Sequence, residues 1–309
     1  MRISLIIPAW NEEEALPKVV EEIPDSVNEI IIVDDGSTDD THIIAKEYEK
    51  KYPNVKVYKH KANSGKVAAI RTGIKNATGD IIVLTDADFT YPASDIIHLV
   101  NEVDAGADLV LGSRFMNGIN NMPLLNRIGN KIFSLFTSYI SGTFITDGQT
   151  GFRAFKRERF NKLDVKAKSL EFETKMTVRA AKHGYIVAEV PIHYRERIGK
   201  SKLNPIPDGY RMFRALISVA NSETSMLAKV IMMPSIIFML FGMLFGIISA
   251  WEYLSQGMPL HPYYPLLTVF LILIGIQLFS LGLIIDNLTK KLERIDERVM
   301  RVKKLISDK

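Results

Sequence analysis

The chain has 309 residues and a formal net charge of +4, and 47% of its residues are hydrophobic. This length exceeds one average domain, and the modest charge argues against a nucleic-acid partner while it suits contact with anionic lipid or phosphate. Because the sequence contains no cysteine, disulfides and thiolate metal sites are excluded, and oxygen and imidazole groups are the available metal ligands.

Short apolar strand patterns alternate with helical patterns over roughly the first 115 residues. The strand patterns lie at Ile3–Ile7, Glu29–Val33, Val55–Tyr58, Ile81–Thr85 and Leu109–Gly112. This alternation predicts an α/β domain with a mostly parallel sheet and helices on both faces, which binds its ligand at the carboxyl ends of the strands. Polar segments follow the first, second and fourth strands, so we expect the functional site at that edge.

Two uncharged segments predict membrane spans. Val230–Ala250 and Leu266–Ile285 contain 21 and 20 residues without a charge. At about 1.5 Å per helical residue, each crosses a hydrocarbon core of about 30 Å, and buried core helices of a soluble protein are the alternative. The connector Trp251–Pro265 has no Lys or Arg, whereas the segment after Asp286 is rich in both, which places both chain ends in the cytoplasm. Residues 1–25 lack the long apolar core of a signal peptide, so we expect none.

Further segments are predicted to lie at the membrane surface. Asn126–Ile145 is too polar for a span and unusually apolar for a surface helix, so we interpret it as interfacial, with an ordinary core helix as the alternative. Asp208–Lys229 is a second candidate that leads into the first span. The tail has apolar residues at alternating spacings of four and three, at Leu288, Leu292, Ile295, Val299, Val302 and Ile306. This seam suits a homo-oligomer, and a basic helix lying on anionic lipid explains it equally well.

Carboxylates follow two of the predicted strands. Asp86 and Asp88 end the fourth strand, where a divalent cation bridging them to a diphosphate would balance their charge; helix capping or pairing with a lysine is the alternative. One of Asp34 and Asp35 could accept a hydrogen bond from a nucleobase. Lys66 begins a helix after a glycine, which suits approach to a phosphate or a ribose. The absence of Walker A and GxGxxG sequences argues against a nucleoside triphosphatase and a dinucleotide-dependent dehydrogenase.

Together these segments resemble a known family. The motifs occur in the order PAWNEE (8–13), VDDGSTDDT (33–41), NSGK (63–66), DADFTYP (86–92), GSRF (112–115), DGQTGFRAF (147–155) and RIGKSKL (197–203). They resemble glycosyltransferase family 2 over about the first 205 residues, and within it the dolichyl or polyprenyl phosphate sugar synthases. The resemblance implies a GT-A fold, a nucleotide-sugar donor, and an inverting hexosyl transfer to a polyprenyl phosphate that supplies lipid-linked sugar for glycosylation.

The resemblance also implies roles for particular residues. Those that would line the nucleotide-sugar pocket are Pro8, Trp10, Asn11, Glu12, Asp35, Lys66 and Asp86. Asp86 and Asp88 would hold Mg²⁺ or Mn²⁺, and Arg197 and Lys202 would clamp the donor diphosphate as a loop closes. Arg114 and Arg127 would bind the acceptor phosphate, with ordinary surface ion pairs as the alternative for both.

A phosphate acceptor is also reasonable on chemical grounds. A phosphate monoester has a second pKa of about 6 and is already a nucleophilic oxyanion at neutral pH, so the reaction needs no general base. Glu171 and Glu173 are the candidates if a base acts on substrate hydroxyls.

Two departures from the family bear on the donor and the product. Mannose-specific members often have Gln where this chain has Thr90, so UDP-glucose or UDP-N-acetylglucosamine is favoured and GDP-mannose stays open. The QxxRW motif of processive polymer synthases is missing. Two other interpretations remain: a non-catalytic membrane partner that binds nucleotide sugar, and a transferase with another lipid or a polysaccharide as acceptor.

These expectations define the domain organisation of a multi-pass membrane protein whose catalytic domain and C-terminus are cytoplasmic. The expected segments are the GT-A domain (1–207) with an interfacial helix near 126–145, a juxtamembrane helix (208–229), a first span (230–251), an external loop (252–265), a second span (266–285) and a basic amphipathic tail (286–309).

Overall fold

The protein is described by a computed structural model that covers residues 1–117, 122–163, 165, 167, 171–199, 211, 214, 217–219, 224–258 and 260–307. The chain forms two compact units, Met1–Ala220 and Asn221–Lys309. Lys202 and half of the predicted juxtamembrane helix 208–229 lie outside the described residues.

The described part of the first unit contains seven strands and seven α-helices. The strands are β1 (Ile3–Ala9), β2 (Glu29–Asp34), β3 (Val55–Lys59), β4 (Ile81–Leu84), β5 (Leu109–Ser113), β6 (Arg153–Lys156) and β7 (Val187–Pro191). The helices are α1 (Leu16–Glu21), α2 (Thr41–Lys51), α3 (Lys66–Asn76), α4 (Ile96–Asp104), α5 (Leu124–Ser141), α6 (Arg157–Leu163) and α7 (Phe172–Lys182).

The strands form one mixed sheet in the order β3-β2-β1-β4-β6-β5-β7. Neighbouring strands are parallel except where β6 pairs antiparallel with both β4 and β5. The predicted mostly parallel sheet is therefore confirmed, and the first five strands lie where the apolar patterns placed them. β6 and β7 were not predicted.

Apolar residues on both faces of the central strands account for this architecture. In β1, Leu5 and Ile7 pack into one hydrophobic cluster together with α1 and α4 residues such as Leu16 and Leu99. Ile6, which points to the opposite face, packs into a second cluster with α3 and α7 residues. A strand buried on both faces is typical of a sheet covered by helices, and it leaves the carboxyl ends of the strands as the accessible edge.

The described part of the second unit contains two long helices, α8 (Met226–Gln256) and α9 (Tyr264–Ser307). Met226–Gln256 and Tyr264–Thr289 are long and apolar enough to cross a membrane. Each span begins a few residues before the uncharged segment that predicted it. The helix α9 continues without a break past Asp286 to Ser307, so the predicted boundary between second span and tail is not a boundary of secondary structure.

Small residues let α8 and α9 approach each other closely. A Cβ added at Gly275 would lie 2.9 Å from the carbonyl oxygen of Ser235, and one at Gly246 would lie 3.1 Å from Cγ2 of Thr268. At one end of this helical hairpin, buried Asp286 accepts a hydrogen bond from the backbone N–H of Ser225, at 2.8 Å. The Ser225 hydroxyl in turn caps α8 by accepting from the N–H of Ala228.

Candidate active site

The loops that follow β1 and β2 are joined into one structure at the carboxyl edge of the sheet. The backbone N–H of Asn11 donates to the Ser37 hydroxyl at 2.9 Å, and the Asn11 side-chain oxygen accepts from the N–H of Thr38 at 2.8 Å. Asn11 has φ 52, a left-handed conformation that Asn tolerates better than most residues. Asn11 therefore fixes the loop that carries Trp10, which is 38% exposed, and Glu12.

Asp35 holds a third loop in place. Its buried carboxylate accepts hydrogen bonds from the backbone N–H groups of Ser64 and Gly65, at 3.0 and 2.7 Å, and lies 2.6 Å from Nδ1 of His60. Gly65 has φ +92 and precedes Lys66 at the start of α3. The predicted contact of Asp35 with a nucleobase stays a prediction; in this structure the carboxylate positions the loop before Lys66.

The predicted donor-binding side chains meet at the same edge of the sheet. Nζ of Lys66 lies 2.6 Å from Oδ1 of Asp86, and Nη1 of Arg197 lies 3.2 Å from Oδ2 of Asp88. Nη2 of Arg197 also lies 2.7 Å from Oε1 of Glu12. Five of the predicted residues, which come from four separate segments of the sequence, are thus brought into one constellation of alternating charges.

The environment of this constellation perturbs two pKa values. Burial raises the pKa of Asp88, and the nearby Asp86 charge raises it further, against the opposing effects of Thr90 and Arg197. Burial alone would lower the pKa of Lys66, but the charges of Asp86 and Glu173 outweigh it and raise that pKa. Crowded carboxylates that favour a proton also favour a cation, and Lys66 stays charged throughout the neutral range.

Backbone strain occurs next to the same carboxylates. Phe89 follows Asp88 with φ 67, which is rare for an aromatic residue. The guanidinium of Arg195 lies 4.6 Å from the centre of the Phe89 ring. Strained residues that persist at such positions are typical of ligand-binding sites.

The loop 147–151 closes the site from the side of β6. The backbone N–H of Gly151 donates to the Tyr91 hydroxyl at 3.2 Å. A Cβ at Gly151 would lie 2.9 Å from both Oδ2 of Asp86 and Nζ of Lys66, so the Gly151 backbone packs directly against that ion pair. Only glycine fits this approach without displacing the pair.

Arg153, which the sequence analysis missed, holds this loop in place by hydrogen bonds. Its fully buried guanidinium donates to the carbonyl oxygens of Gly148, Thr150 and Glu173 and to the Thr177 hydroxyl. Burial lowers the pKa of Arg153, and no carboxylate among the described residues pairs with it directly. Its place in the DGQTGFRAF motif was the available signal, but an arginine is normally expected at the surface.

The two predicted acceptor residues have different surroundings. Arg114 is 8% exposed, and its Nε and Nη2 form a bidentate pair with Asp147 at 2.7 and 2.9 Å. Arg127 lies in the first turns of α5, half-buried, and makes no ion pair with the residues that the structure describes. Two Arg114 nitrogens are thus used within the protein, and the phosphate roles of Arg114 and Arg127 stay predictions.

The helix α5 has an unusual distribution of polar groups. Ser134 and Thr137 are buried, whereas Leu124 and Leu135 are each 70% exposed. The other large apolar side chains exposed on α5 are Ile128, Ile132, Phe136 and Tyr139. An apolar outer face with polar groups turned inward is the reverse of a helix that faces water.

No group of three or more acidic or histidine side chains occurs among the described residues in an arrangement that would hold a metal ion. The constellation instead contains two carboxylates, Asp86 and Asp88, as candidate metal ligands. Mg²⁺ commonly binds one or two protein carboxylates and takes its remaining ligands from substrate phosphates and water. These two carboxylates therefore fit a cation whose remaining ligands come from a diphosphate and water.

Comparisons with known proteins identify the family of this chain. The sequence profile of glycosyl transferase family 2 matches residues 4–164. Polyprenol monophosphomannose synthase of Mycolicibacterium smegmatis is 33% identical, over 71% of this chain and 86% of the relative. UDP-N-acetylglucosamine–dolichyl-phosphate N-acetylglucosaminyltransferase of Methanococcus voltae is 36% identical, over 62% of this chain and 84% of the relative.

The fold is shared with glucosyl-3-phosphoglycerate synthase of Mycobacterium tuberculosis, whose crystal structure contains Mn²⁺, UDP and phosphoglyceric acid. That structure superposes with a TM-score of 0.57 at 20% identity and covers 71% of this chain and 78% of its own. The profile spans more than half of the sequence, and the first of these relatives is more than 30% identical over more than two thirds of it. This chain is therefore a glycosyltransferase and belongs to glycosyl transferase family 2.

Proposed function

We propose that this enzyme transfers one hexose from a nucleoside diphosphate sugar to a polyprenyl phosphate, with inversion of the anomeric centre, at the cytoplasmic face of a membrane. The observation that carries the proposal is the pairing of Asp86 with Lys66 and of Asp88 with Arg197, in a chain with two helices of membrane-spanning length. Carboxylates for a cation, and cations for a diphosphate, are what a departing nucleoside diphosphate requires. Relatives named for polyprenol and dolichyl phosphate support the acceptor class.

Asp86 and Asp88 would hold Mg²⁺ or Mn²⁺ together with the donor diphosphate. When bound, the cation supplies charge neutralisation of the leaving group. Lys66 and Arg197, now paired with carboxylates, would turn to the diphosphate oxygens. Lys202 would join them as the segment after Arg197 closes over the donor.

The acceptor reacts directly in this proposal. An oxygen of the phosphate monoester forms the new bond to the anomeric carbon while the bond between that carbon and the diphosphate oxygen breaks, and the electron pair leaves with the nucleoside diphosphate. Because the attacking oxygen is already ionised at neutral pH, the protein's task is alignment and stabilisation of the leaving group. Arg127 would bind the acceptor phosphate, and Arg114 would act with it directly or through Asp147.

A UDP-sugar is the donor we favour, either UDP-glucose or UDP-N-acetylglucosamine. Thr90 stands where mannose-specific members often have Gln, and its hydroxyl donates to Oδ1 of Asp88 at 2.6 Å. That hydroxyl is therefore used to orient a metal-site carboxylate. Trp10, Asn11, Glu12 and Asp35 would form the nucleobase and ribose pocket with Pro8.

The acceptor would be reached from the membrane surface. The outward apolar face of α5 suits burial among lipid headgroups and acyl chains. The basic residues after Asp286 and the lack of Lys and Arg between the spans support a cytoplasmic location for the enzymatic unit and the C-terminus.

The test is transfer by the purified full chain in lipid vesicles containing polyprenyl phosphate. Labelled UDP-glucose, UDP-N-acetylglucosamine and GDP-mannose are supplied in turn, with Mn²⁺, with Mg²⁺ or with EDTA, and label is counted in the organic phase. We expect cation-dependent transfer from one donor into an acid-labile sugar phosphate.

Asp88→Asn should abolish this transfer, whereas Asp104→Asn, which changes an exposed acid at the end of α4, should leave it intact. Transfer that persists in Asp88→Asn would contradict the proposed role of the carboxylates. A lipid product that resists acid would indicate a different acceptor.

A further inference from the structure

Lys66 lies between two carboxylates, and only one of them belongs to the proposed metal site. Its Nζ is 2.6 Å from Asp86 and 3.7 Å from Oε1 of Glu173. The Glu173 side chain is only 13% exposed. The ammonium therefore has a second anionic neighbour within reach, at the start of α7.

The backbone of Glu173 is anchored at this position. Its carbonyl oxygen accepts hydrogen bonds from the buried guanidinium of Arg153 and from the hydroxyl of Thr177, both on the inner side of the site. These bonds hold the start of α7 beside the site, so the Glu173 carboxylate is carried on a backbone that is anchored next to Lys66.

A divalent cation bound through Oδ1 of Asp86 would compete with Lys66, whose Nζ lies 2.6 Å from that oxygen, because the two positive charges repel each other. The Gly151 backbone packs against one side of the pair, since a Cβ added there would lie 2.9 Å from both partners. On another side, Oε1 of Glu173 already lies 3.7 Å from the ammonium nitrogen, so a small turn of the Lys66 side chain brings the two into contact.

We propose that Glu173 is a positioning residue that takes over Lys66 when Asp86 turns to the cation, so that cation binding and the reorientation of Lys66 are one exchange of partners. The proposal rests on the function proposed above. In this exchange Lys66 pairs with Asp86 when the site is empty. When the site is loaded, Lys66 pairs with Glu173 and stays beside the diphosphate. No bond other than ionic and hydrogen bonds is made or broken.

The measurement is the concentration of Mn²⁺ that half-saturates the full-length protein with UDP, and separately with GDP, followed by electron paramagnetic resonance. Glu173→Gln keeps the shape of the side chain but removes its charge. We expect it to raise the half-saturating Mn²⁺ concentration about fivefold, because Lys66 then has Asp86 as its carboxylate partner and competes more strongly with the cation. Glu158→Gln, at an acid on α6 that is 68% exposed, is the matched control and should have no effect.

A double-mutant cycle separates this exchange from a simple long-range attraction between Glu173 and the cation. In a Lys66→Met background the exchange has no ammonium to act on, so Glu173→Gln should change the half-saturating concentration less than about twofold. An equal effect in both backgrounds would overturn the inference. So would a loss of transfer in Glu173→Gln with unchanged Mn²⁺ binding, which would instead indicate contact with substrate.

The outcome also distinguishes this inference from the function on which it rests. If wild-type protein shows no nucleotide-dependent Mn²⁺ binding, both the proposed metal requirement and the exchange are refuted. If the wild type binds Mn²⁺ and Glu173→Gln binds it equally well, the exchange alone is refuted.

Discussion

The buried carboxylate of Glu29 gives a stability prediction with a defined magnitude. Glu29 begins β2 and accepts hydrogen bonds from the Ser4 hydroxyl, from Nζ of Lys56 at 2.7 Å, and from both the N–H and the hydroxyl of Thr78 at 2.8 and 3.1 Å. Burial alone would raise its pKa, but these donors outweigh burial and lower the pKa from 4.5 to about 2. That difference corresponds to about 3 kcal/mol of stability at neutral pH.

The lowered pKa fixes the pH range over which this stability is lost. The contribution is complete above the pKa of about 4.5 that the unfolded chain has, and it falls as pH drops toward about 2 in the folded state. At pH 3 less than about half of it remains. Replacing Glu29 with Gln should therefore destabilise the first unit by up to about 3 kcal/mol at pH 7, and by clearly less at pH 3.

The assay is thermal unfolding of the full chain in detergent, followed by tryptophan fluorescence. The chain has two tryptophans, Trp10 and Trp251, so a Trp251→Phe background makes Trp10 the reporter of the first unit. A loss of about 3 kcal/mol lowers the midpoint by about 6 to 12 °C in a unit of this size. The control is Glu47→Gln, at an exposed glutamate on α2. Equal destabilisation by Glu29→Gln at pH 7 and pH 3 would refute the reasoning.

Two predictions concern the site itself. Gly151→Ala places a methyl group 2.9 Å from Oδ2 of Asp86 and from Nζ of Lys66, so the rate of transfer should fall at least about tenfold. The control is Gly129→Ala, whose Cβ would meet nothing within 4 Å and which should retain full transfer. Arg127→Gln should raise the KM for polyprenyl phosphate and leave the KM for the donor unchanged, as measured by initial rates; an equal rise in both would contradict an acceptor role.

Four of the five strands that the sequence predicted contain long buried runs, whereas the fifth, β3, alternates buried and exposed residues. All residues of β2 and β4 are buried, so hydrophobicity alone marked them within a residue or two of their ends. The strand β6 begins with buried Arg153 and has four residues, and β7 has half-buried residues at the sheet edge, so neither produces such a run. Their positions depend on pairing with β5, which a local pattern does not contain.

The site could be predicted in part for a similar reason. Asp86 and Asp88 follow a strand end directly, and that position by itself indicated a ligand site. The long-range partners of Arg114 and Arg153 could not be predicted, because Asp147 and Glu173 approach them only after the chain has folded. Each guanidinium is buried, and hydrogen bonds to the protein compensate for the loss of water.

The reversed polarity of α5 leads to a last prediction. The hydroxyl groups of Ser134, Thr137 and Ser138 donate to backbone carbonyl oxygens within the unit, so the inner face of the helix needs no water. Leu124 and Leu135, by contrast, would each keep most of their side-chain surface in water if the helix faced solvent. Exposing such a side chain rather than burying it costs about 2 kcal/mol, so a lipid surface is the favourable environment.

If α5 rests on lipid, Leu135→Ser should weaken access to the membrane-bound acceptor alone. We expect a higher KM for polyprenyl phosphate in vesicles, with unchanged KM values for the donor and for a short, water-soluble isoprenyl phosphate. Ile43→Ser, which removes an apolar side chain that is 59% exposed on α2, is the matched control and should change none of the three. Because the short acceptor needs the same chemistry but no bilayer, a rise in its KM as large as that for the vesicle acceptor would show that Leu135 acts on the active site and not on lipid.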